Sequence, residues 1–402
     1  MGYTIDTFGM VSALGKDVES SAKALFGGGL PDLSHWELAG GARVPVFRVQ
    51  DELQPLPREV RRFDCRNNRL AFEVYGQIGV RVNEVIRDVG PDRVAVVVGS
   101  STSGLDATEH AYRHFRKFGR HPKEFDFLAQ HAMGSLSLFL CSLSGAQGPA
   151  YTVSTACSSA AKAMSSAKGL LDAGLCDAVI TGGIDTLCDL TVNGFSALGQ
   201  LSDERINPMS ANRKGLNIGE GGALFLITRG EGRIRLAGGG ESMDAHHMSA
   251  PHPQGLGAQL AMEAALDQAG IRPSQVTYVN LHGTATKSND DMESLAVSGL
   301  VGDIRCSSTK PFTGHCLGAA GAIEAAVCCL SFLDPNRRLP AHRFDGNVDP
   351  QLSPLQLVGP STSFERAENV FFLSNSFAFG GNNCSLVLAM EMDGSPLAAA
   401  TD

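Results

Sequence analysis

The stretch YTVSTACSSAAKAMSSAKGL, residues 151–170, places one cysteine where an extended run turns into a helix of small residues. The Ala- and Ser-rich segment after Cys157 predicts a helix over 160–173. A helix N-terminus exposes unpaired N–H groups and the positive end of the helix dipole, and both lower the pKa of a thiol. The position therefore predicts a nucleophilic thiolate at Cys157; the alternative is a buried cysteine that only fills space.

Strand-like and helix-like segments alternate along the whole chain. Apolar runs followed by glycine predict strands at 93–101, 177–185, 223–232, 276–284 and 369–381. Further helix-like segments cover 69–86, 256–269 and 319–333. Buried strands that alternate with helices predict an α/β protein.

The two halves of the chain are weakly similar to each other. RVAVVVGSS in the first half has a counterpart in VTYVNLHGT, and TVSTACSSAAKAM has one in CSSTKPFTGHCLGAAGAIEA. This similarity predicts a duplicated α/β unit with an N-terminal half at 1–235, which carries Cys157, and a C-terminal half at 236–402. Because no low-complexity linker separates the halves, we expect them to form one body.

Composition and charge exclude several classes of function. The 402 residues carry a net charge of −9, which argues against a nucleic-acid-binding protein. The 10 cysteines form no C-x-x-C pair, so neither a zinc site nor a disulfide framework is expected. The sequence contains no signal peptide and no apolar run of about 18 residues, so we expect a cytoplasmic protein without a membrane span. Residues 392–402 are expected to fray.

Two histidines lie in glycine-bracketed turns after predicted strands. His282 lies in NLHGTAT and His315 in TGHCLGAAG. One such histidine alone is usually a surface or capping residue, but two together with Cys157 predict a nucleophile served by two proton donors or acceptors. Lys310 precedes His315 in the same loop and is either a solvated surface lysine or a charge that orients a histidine.

A double glycine follows the last predicted strand, in NSFAFGGNN. Gly380 and Gly381 could let backbone N–H groups approach an oxyanion. The same pair is also compatible with a simple tight hairpin.

Taken together, these motifs resemble the β-ketoacyl-acyl-carrier-protein synthases of the thiolase-like superfamily. STACSS is similar to the nucleophile motif of that family, and LHGTAT, with Asn289 and Asp290 after it, to the first histidine motif. SSTKPFTGHCLGAAGAIE is similar to the motif of the lysine and second histidine, and NSFAFGG to the gating loop. The match spans nearly the whole chain in the family's order. It implies a thiolase-like fold with two α/β halves, buried sheets and central helices in an αβαβα arrangement.

The resemblance also implies an activity and a catalytic set of Cys157, His282, His315 and Lys310. Cys157 would take an acyl group from the phosphopantetheine arm of an acyl carrier protein. The two histidines would then assist decarboxylation of malonyl carrier protein, whose carbanion attacks the acyl group. Lys310 would support the histidines. No metal or organic cofactor of the protein's own is implied, since the phosphopantetheine arrives on the carrier protein.

Further residues carry implied roles. Backbone N–H groups of Cys157 and Phe379 would hold the oxyanion, and Phe379 would act as the gate. Glu324 matches a glutamate of the family and is as consistent with a structural as with a catalytic role. Thr108 and Phe195 would line the acyl channel, where the threonine hydroxyl would favour short or conjugated acyl chains over long saturated ones.

Two basic clusters are candidates for carrier-protein docking on this acidic chain, although both could be ordinary solvated helix faces. The first resembles the family's docking helix and comprises Arg58, Arg61, Arg62, Arg66 and Arg69. The second comprises Arg113, Arg116, Lys117, Arg120 and Lys123.

Alternatives to an active fatty-acid-type enzyme are open. LHGTAT with ND and MES after it looks more like the ketosynthases of aryl-polyene-type pathways. A non-catalytic subunit similar to a chain-length factor would lack the cysteine, which is present here. A thiolase would carry a second active cysteine near the C-terminus, and Cys384 lies inside a predicted strand instead. The chain is expected to form a homodimer or a heterodimer with a chain-length-factor-like subunit.

Overall fold

A computed structural model of the chain describes residues 2–50 and 52–391, so the expected fraying of 392–402 lies outside the described residues. In these ranges the strands are β1 (Tyr3–Val11), β2 (Ser34–Glu37), β3 (Arg43–Val46), β4 (Val94–Gly99), β5 (Ala150–Val153), β6 (Ala178–Asp185), β7 (Gly221–Thr228), β8 (Ile234–Met243), β9 (Val276–Asn280), β10 (Arg305–Ser307), β11 (Gln356–Leu357), β12 (Asn369–Phe377) and β13 (Asn382–Glu391). The α-helices are α1 (Val18–Gly27), α2 (Arg66–Val89), α3 (Leu105–Phe118), α4 (Ser135–Ser144), α5 (Ser159–Asp172), α6 (Asp189–Ala197), α7 (Leu256–Ala269), α8 (Lys287–Val301), α9 (Lys310–Thr313) and α10 (Ala320–Leu333). No helix in the described ranges has both the length and the apolar character needed to cross a membrane.

The strands of both halves belong to one continuous sheet. Its order is β11-β10-β9-β12-β13-β8-β1-β7-β6-β4-β5, and β2 and β3 form a separate hairpin. The first half contributes the block from β1 to β5 and the second half the block from β11 to β8. The two blocks meet edge to edge, where Tyr3 and Thr4 of β1 pair with Leu236 and Arg235 of β8. The two blocks are therefore joined by strand pairing, and β8 at their junction pairs with both β1 and β13. The predicted boundary between 235 and 236 falls inside β8, so the division into two halves stays a prediction.

Strand β4 shows how each block is covered on both faces. Ala95 and Val97 pack into the core formed with α5 and α10, whereas Val94, Val96 and Val98 pack into the core formed with α2 and α4. Side chains alternate between the faces of a strand, so a continuously apolar run suits a strand buried on both sides, and each buried valine contributes about 1.5–3 kcal/mol. The other block packs against α5 and α10 inside and against α7 and α8 outside. This confirms the αβαβα layering that the resemblance implied.

The small residues that follow Cys157 allow close packing of the central helices. A Cβ added to Gly321 of α10 would lie 2.9 Å from the Cβ of Ala161 in α5. A Cβ added to Gly99, at the end of β4, would lie 2.4 Å from the backbone nitrogen of Ala160. Larger side chains at these contacts would push α5 away from the strand ends and move Cys157 with it.

Candidate active site

Cys157 lies in a tight turn between β5 and α5. The residue before it, Ala156, has a φ of +52°, in the left-handed region that costs energy for a residue with a Cβ. Hydroxyl groups of the following serines stabilise this turn. Ser158 Oγ donates to the carbonyl oxygen of Thr155 at 2.9 Å, and Ser159 Oγ donates to that of Ala156 at 2.6 Å. The serines of STACSS thus hold the strained turn that presents the cysteine.

The structure brings the four predicted catalytic side chains together in one buried cluster. Nε2 of His315 lies 3.0 Å from Sγ of Cys157. The rings of His282 and His315 meet edge to face, with centroids 5.3 Å apart. Nζ of Lys310 lies 3.4 Å from Nδ1 of His282 and also donates to the carbonyl oxygen of that residue.

Lys310 and Glu324 form a buried ion pair behind the histidines. Nζ of Lys310 lies 2.5 Å from Oε1 of Glu324, and both side chains are almost completely buried. Burial raises the pKa of Glu324 to about 7, while Lys310 opposes that rise. Because Glu324 contacts Lys310 and Lys310 contacts His282, the glutamate is placed to act on the site through the lysine.

Burial dominates the electrostatics of the cysteine. It raises the pKa of the Cys157 thiol to about 12, although Lys310 and the backbone N–H of Phe379 lower it. The expectation from the sequence that the helix start lowers the pKa of the Cys157 thiol is therefore wrong for this closed site. Full burial can raise the pKa of an acidic group by about 3–5 units, whereas a helix terminus contributes about 0.3–2 kcal/mol.

Both histidines are held in the neutral form. Burial lowers the pKa of His282 well below its usual value, and the charge of Lys310 and the neighbouring His315 lower it further. Burial, with Lys310, has the same effect on the pKa of His315. An ammonium group has no acceptor, so Nδ1 of His282 must accept from Lys310 and the proton of that ring belongs on Nε2. His282 is therefore a neutral hydrogen-bond donor.

Phe379 closes the site. The backbone N–H groups of Cys157 and Phe379 both approach the Cys157 sulfur, so the two donors predicted for the oxyanion converge. The ring of Phe379 stacks on Phe195 with centroids 5.5 Å apart. The cavity that these residues share with both histidines holds about 40 Å³, room for roughly one water. This volume is too small for an acyl chain, and the gate role of Phe379 stays a prediction.

The two glycines after Phe379 have a different use from the one predicted. Gly380 and Gly381 adopt φ values of +81° and +75°, so the turn from β12 into β13 requires their freedom. Their N–H groups donate to the carbonyl oxygens of Met248 and Ala378 at 2.8 and 3.1 Å. In this closed form the tight-hairpin interpretation is correct, and the expectation that these N–H groups approach an oxyanion is wrong.

The structure places Thr108 outside the cavity that contains Cys157. Thr108 lies on α3, and its Oγ1 is 2.8 Å from Nδ1 of His131. The hydroxyl already has a partner, so the expectation that it favours short or conjugated acyl chains has no support from this contact. Phe195, in contrast, lines the cavity that contains Cys157, and its place in an acyl channel stays a prediction.

The first basic cluster divides into exposed and paired residues. Arg58, Arg61 and Arg62 are exposed on the short 3₁₀ helix Arg58–Phe63. Arg66 instead donates to the fully buried Glu220 at 2.5 Å, and Arg69 forms a bidentate pair with Asp64. Arg66 is therefore a structural residue, which corrects its assignment to docking, and Arg69 is already neutralised. A groove of about 920 Å³ runs beside both and holds none of the predicted catalytic side chains.

The second basic cluster lies on and after α3, where Arg113 pairs with Asp189 and Glu109. Arg116, Lys117, Arg120 and Lys123 are exposed. Docking of an acyl carrier protein on the exposed members of either cluster therefore stays a prediction.

Two carboxylates of the site were missed from the sequence. Glu293 of α8 accepts from the backbone N–H groups of His282 and Gly283, each at 2.7 Å, and so fixes the histidine turn. Burial raises its pKa to about 7. Asp185 ends the apolar strand β6 and is fully buried. For Asp185 the available signal was an acidic residue at the end of an otherwise apolar strand, which needs hydrogen-bond donors when it is buried.

Cys157, His282 and His315 are also the residues that could hold a metal ion, since their ligand atoms lie within 4.8 Å of one another. Such a set suits a soft divalent cation. The ammonium group of Lys310, 3.4 Å from His282, would repel a dication there. The donor set therefore fits nucleophilic catalysis better than metal binding.

Comparisons with known proteins agree with this geometry. The family descriptions "Beta-ketoacyl synthase, N-terminal domain" and "Beta-ketoacyl synthase, C-terminal domain" match residues 56–232 and 234–336. The 3-oxoacyl-[acyl-carrier-protein] synthase 2 of Staphylococcus aureus (strain N315) is 31% identical, over 95% of this chain and 97% of that protein. The ketosynthase ApeO in complex with its chain length factor ApeC from Xenorhabdus doucetiae includes a chain with 42% identity and a TM-score of 0.90, over 97% of this chain and 98% of that one. The ishigamide ketosynthase/chain length factor, at 24% identity and a TM-score of 0.84 over 97% and 99%, shares the fold.

The chain therefore belongs to the β-ketoacyl synthase family. It is an acyltransferase that forms carbon–carbon bonds, and the non-catalytic alternative is not favoured because Cys157 and both histidines occupy one site. The thiolase alternative is not favoured either. Cys384 is fully buried in the core on β13.

Proposed function

We propose that the chain is a β-ketoacyl-acyl-carrier-protein synthase that condenses malonyl-acyl carrier protein with an acyl group held on Cys157. The observation that carries the proposal is the 3.0 Å contact between Cys157 Sγ and His315 Nε2, with His282 beside them. A thiol beside two neutral imidazoles suits a reaction in which a thioester forms and a carbanion then attacks it.

In the loading step, His315 takes the proton of Cys157 as the sulfur attacks the carbonyl carbon of an acyl-carrier thioester. The N–H groups of Cys157 and Phe379 stabilise the oxyanion of the tetrahedral intermediate. The bond between the acyl carbon and the carrier's sulfur then breaks. The phosphopantetheine thiol leaves with the proton from His315, and the acyl group remains on Cys157.

In the condensation step, His282 donates its Nε2 proton in a hydrogen bond to the thioester oxygen of the malonyl group. The malonyl carboxylate leaves as CO₂, and its bonding electrons form an enolate that this hydrogen bond stabilises. The enolate carbon attacks the acyl carbon on Cys157, and the sulfur leaves as a thiolate that takes a proton from solvent. Neutral imidazoles favour this step because neither histidine can protonate the carbanion as an imidazolium would.

The pathway is proposed to be a specialised one of the aryl-polyene type, with short or conjugated acyl groups as substrates. The support is the identity of 42% to a chain of the ApeO–ApeC complex, against 31% to the Staphylococcus aureus synthase. Competition between saturated and polyenoyl carrier proteins of equal length would test it. A preference for long saturated chains would assign the enzyme to ordinary fatty-acid synthesis.

The enzyme is proposed to work as a dimer, with a second copy of itself or with a chain-length-factor-like subunit. Large apolar side chains are exposed on α3, on α4 and on the segment between them, which supports a protein partner there. They are Tyr112, Phe115, Phe118, Phe127, Leu128, Met133 and Leu138. The mass of the purified protein in solution, alone and after co-expression with a candidate subunit, would separate the two.

The proposal includes no cofactor of the protein's own, because the chemistry needs only Cys157, the histidines and the carrier's phosphopantetheine. All ten cysteines are free thiols in the structure. Free thiols persist in a reducing compartment, which supports the proposal that the reaction takes place in the cytoplasm.

Intact-mass measurement of the enzyme mixed with acyl carrier protein, and then with malonyl carrier protein, tests the function. We expect wild type to gain one acyl group on Cys157 and to lose it with formation of the β-ketoacyl carrier protein. Cys157→Ala should neither load nor condense. Acylation of another cysteine, or loading only from coenzyme A thioesters, would contradict the proposal.

A further inference from the structure

The loops of the active site meet at Asp185, to which the proposed reaction gives no role. Its carboxylate is fully buried and accepts five close hydrogen bonds, four from the loop after β4 and one from the loop after His315. The donors are Ser100 Oγ at 2.7 Å, Ser101 N at 2.8 Å, Thr102 N at 2.9 Å, Thr102 Oγ1 at 2.8 Å and Gly318 N at 2.6 Å. Because β4 and β6 are parallel neighbours, their carboxyl ends lie together and place Asp185 beside the first of these loops.

One chain of contacts leads from Asp185 to the nucleophile. Ser101, which donates its backbone N–H to Asp185, also donates its hydroxyl to the carbonyl oxygen of Ala156 at 3.1 Å. Ala156 has the strained φ of +52° and directly precedes Cys157. The position of the thiol therefore depends on a turn that Asp185 anchors through one serine.

A second contact connects Asp185 to the loop that carries His315, the proposed general base. Gly318 follows His315 by three residues, and between them Leu317 has a φ of +49°. A Cβ on Gly318 would lie 2.5 Å from Ser101 Oγ and 2.8 Å from Asp185 Oδ2, so the carboxylate and this loop are in the closest possible contact. The other side of the loop is held by backbone bonds between His315 and the segment before β7. Asp185 therefore fixes the remaining side of the His315 loop, at Gly318.

Asp185 is not present to stabilise the Cys157 thiolate by its charge. Burial raises the pKa of Asp185, but all five contacts are donors that favour its ionised form, and no basic side chain pairs with it in residues 2–50 and 52–391. A negative charge near Cys157 raises the thiol pKa and opposes the nucleophile. An asparagine would offer N–H groups to partners that are themselves donors, so only a carboxylate satisfies the cluster.

We propose that Asp185 is a positioning residue that holds the Cys157 turn and the His315 loop at hydrogen-bonding distance. The assignment deepens the proposed function, since its condensation assay presupposes that function. Asp185 touches neither thiol nor imidazole and acts through Ser101 and Gly318.

Asp185→Asn tests the proposal with three measurements: condensation kinetics, alkylation of Cys157 by iodoacetamide followed by mass, and thermal unfolding. We expect kcat to fall about 100-fold, the cost of a misplacement of about 1 Å, with KM changed little. Alkylation at neutral pH should be as fast or faster, because a nearby negative charge is gone. Lost turnover in a variant whose unfolding temperature stays near that of wild type is an outcome that loss of stability alone does not give.

Asp334→Asn is the matched control, since Asp334 is a buried carboxylate that pairs with Arg338 at the end of α10. It should lower the unfolding temperature and leave kcat unchanged. If Asp185→Asn does not fold, Ser101→Ala removes only the link to Ala156 and should lower kcat about tenfold. Wild-type kcat in a folded Asp185→Asn, or in Ser101→Ala, overturns the inference. A wild type that is alkylated but never condenses would instead contradict the proposed function.

Discussion

Lys310 Nζ lies 3.4 Å from His282 Nδ1, and the same ammonium group is paired with Glu324. This contact fixes the tautomer of the buried His282, because a lysine can only donate a hydrogen bond. It also keeps the ring neutral, since a positive charge beside it disfavours a second proton. We therefore propose that Lys310 makes His282 a donor toward the substrate.

The buried pair makes the stability of a lysine variant depend on pH. Lys310→Met leaves Glu324 buried without its cation, and loss of one partner of a buried pair costs about 3–5 kcal/mol. The folded-state pKa of Glu324, already raised to about 7, should rise further in the variant, so the destabilisation should shrink as the pH falls from about 9 to about 6, below which Glu324 is protonated in both proteins. Chemical denaturation of Lys310→Met and wild type across this range measures the difference. A deficit independent of pH would contradict the pairing, and Lys310→Met/Glu324→Met, which removes both charges, is the control.

Reactivity of Cys157 is expected to rise steadily with pH in the resting enzyme. Burial raises the thiol pKa to about 12, and only the thiolate is alkylated, so the iodoacetamide rate should increase about tenfold per pH unit between about pH 7 and pH 9. The measurement is the rate of mass gain at Cys157, with Cys157→Ala as the blank. A plateau below neutral pH would show that the helix terminus outweighs desolvation.

The two histidines should fail at different steps. His315 touches the thiol and takes its proton in the loading step, so His315→Ala should slow acyl loading by about 10²–10⁴-fold. His282 lies beside the pair and faces the malonyl group, so His282→Ala should load at near the wild-type rate and lose condensation by a similar factor. Single-turnover loading followed by intact mass, and release of CO₂ from malonyl carrier protein, separate the steps. Normal loading by His315→Ala would remove its role as the base of that step.

Carrier-protein docking should depend on the exposed arginines of the first cluster. Reversing Arg58, Arg61 and Arg62 to Glu should raise KM for carrier-bound substrates and weaken its dependence on salt, with little change in kcat. Arg66 is left intact, because its pair with buried Glu220 makes its loss a folding defect.

The control for docking reverses Arg116, Lys117 and Arg120, which are exposed members of the second cluster. Because α3 also belongs to the proposed partner surface, the mass of this variant in solution is compared with that of wild type. We expect its KM to stay near wild type. The opposite pattern, with KM raised only in this control, would move the docking surface to α3.

The sequence determined much of the local structure and the chemistry of this protein. A run such as 256–269 has the period and the flanking glycines of a helix, and the structure gives that helix its predicted bounds. The motifs around Cys157, His282, His315 and Lys310 also identified the reacting groups and the family, because these features depend on residues close together in the chain.

Only the tertiary structure decided what surrounds those groups. The pKa of Cys157 follows from how completely the chain buries it, and burial is a property of the whole packed core. Arg66 becomes structural because the fold brings the buried Glu220 to it, 154 residues along the chain. Asp185 meets Gly318 across 133 residues because strand order and central-helix packing bring both to one sheet edge. Such partners are fixed by long-range pairing of elements, which no local spacing in the sequence encodes.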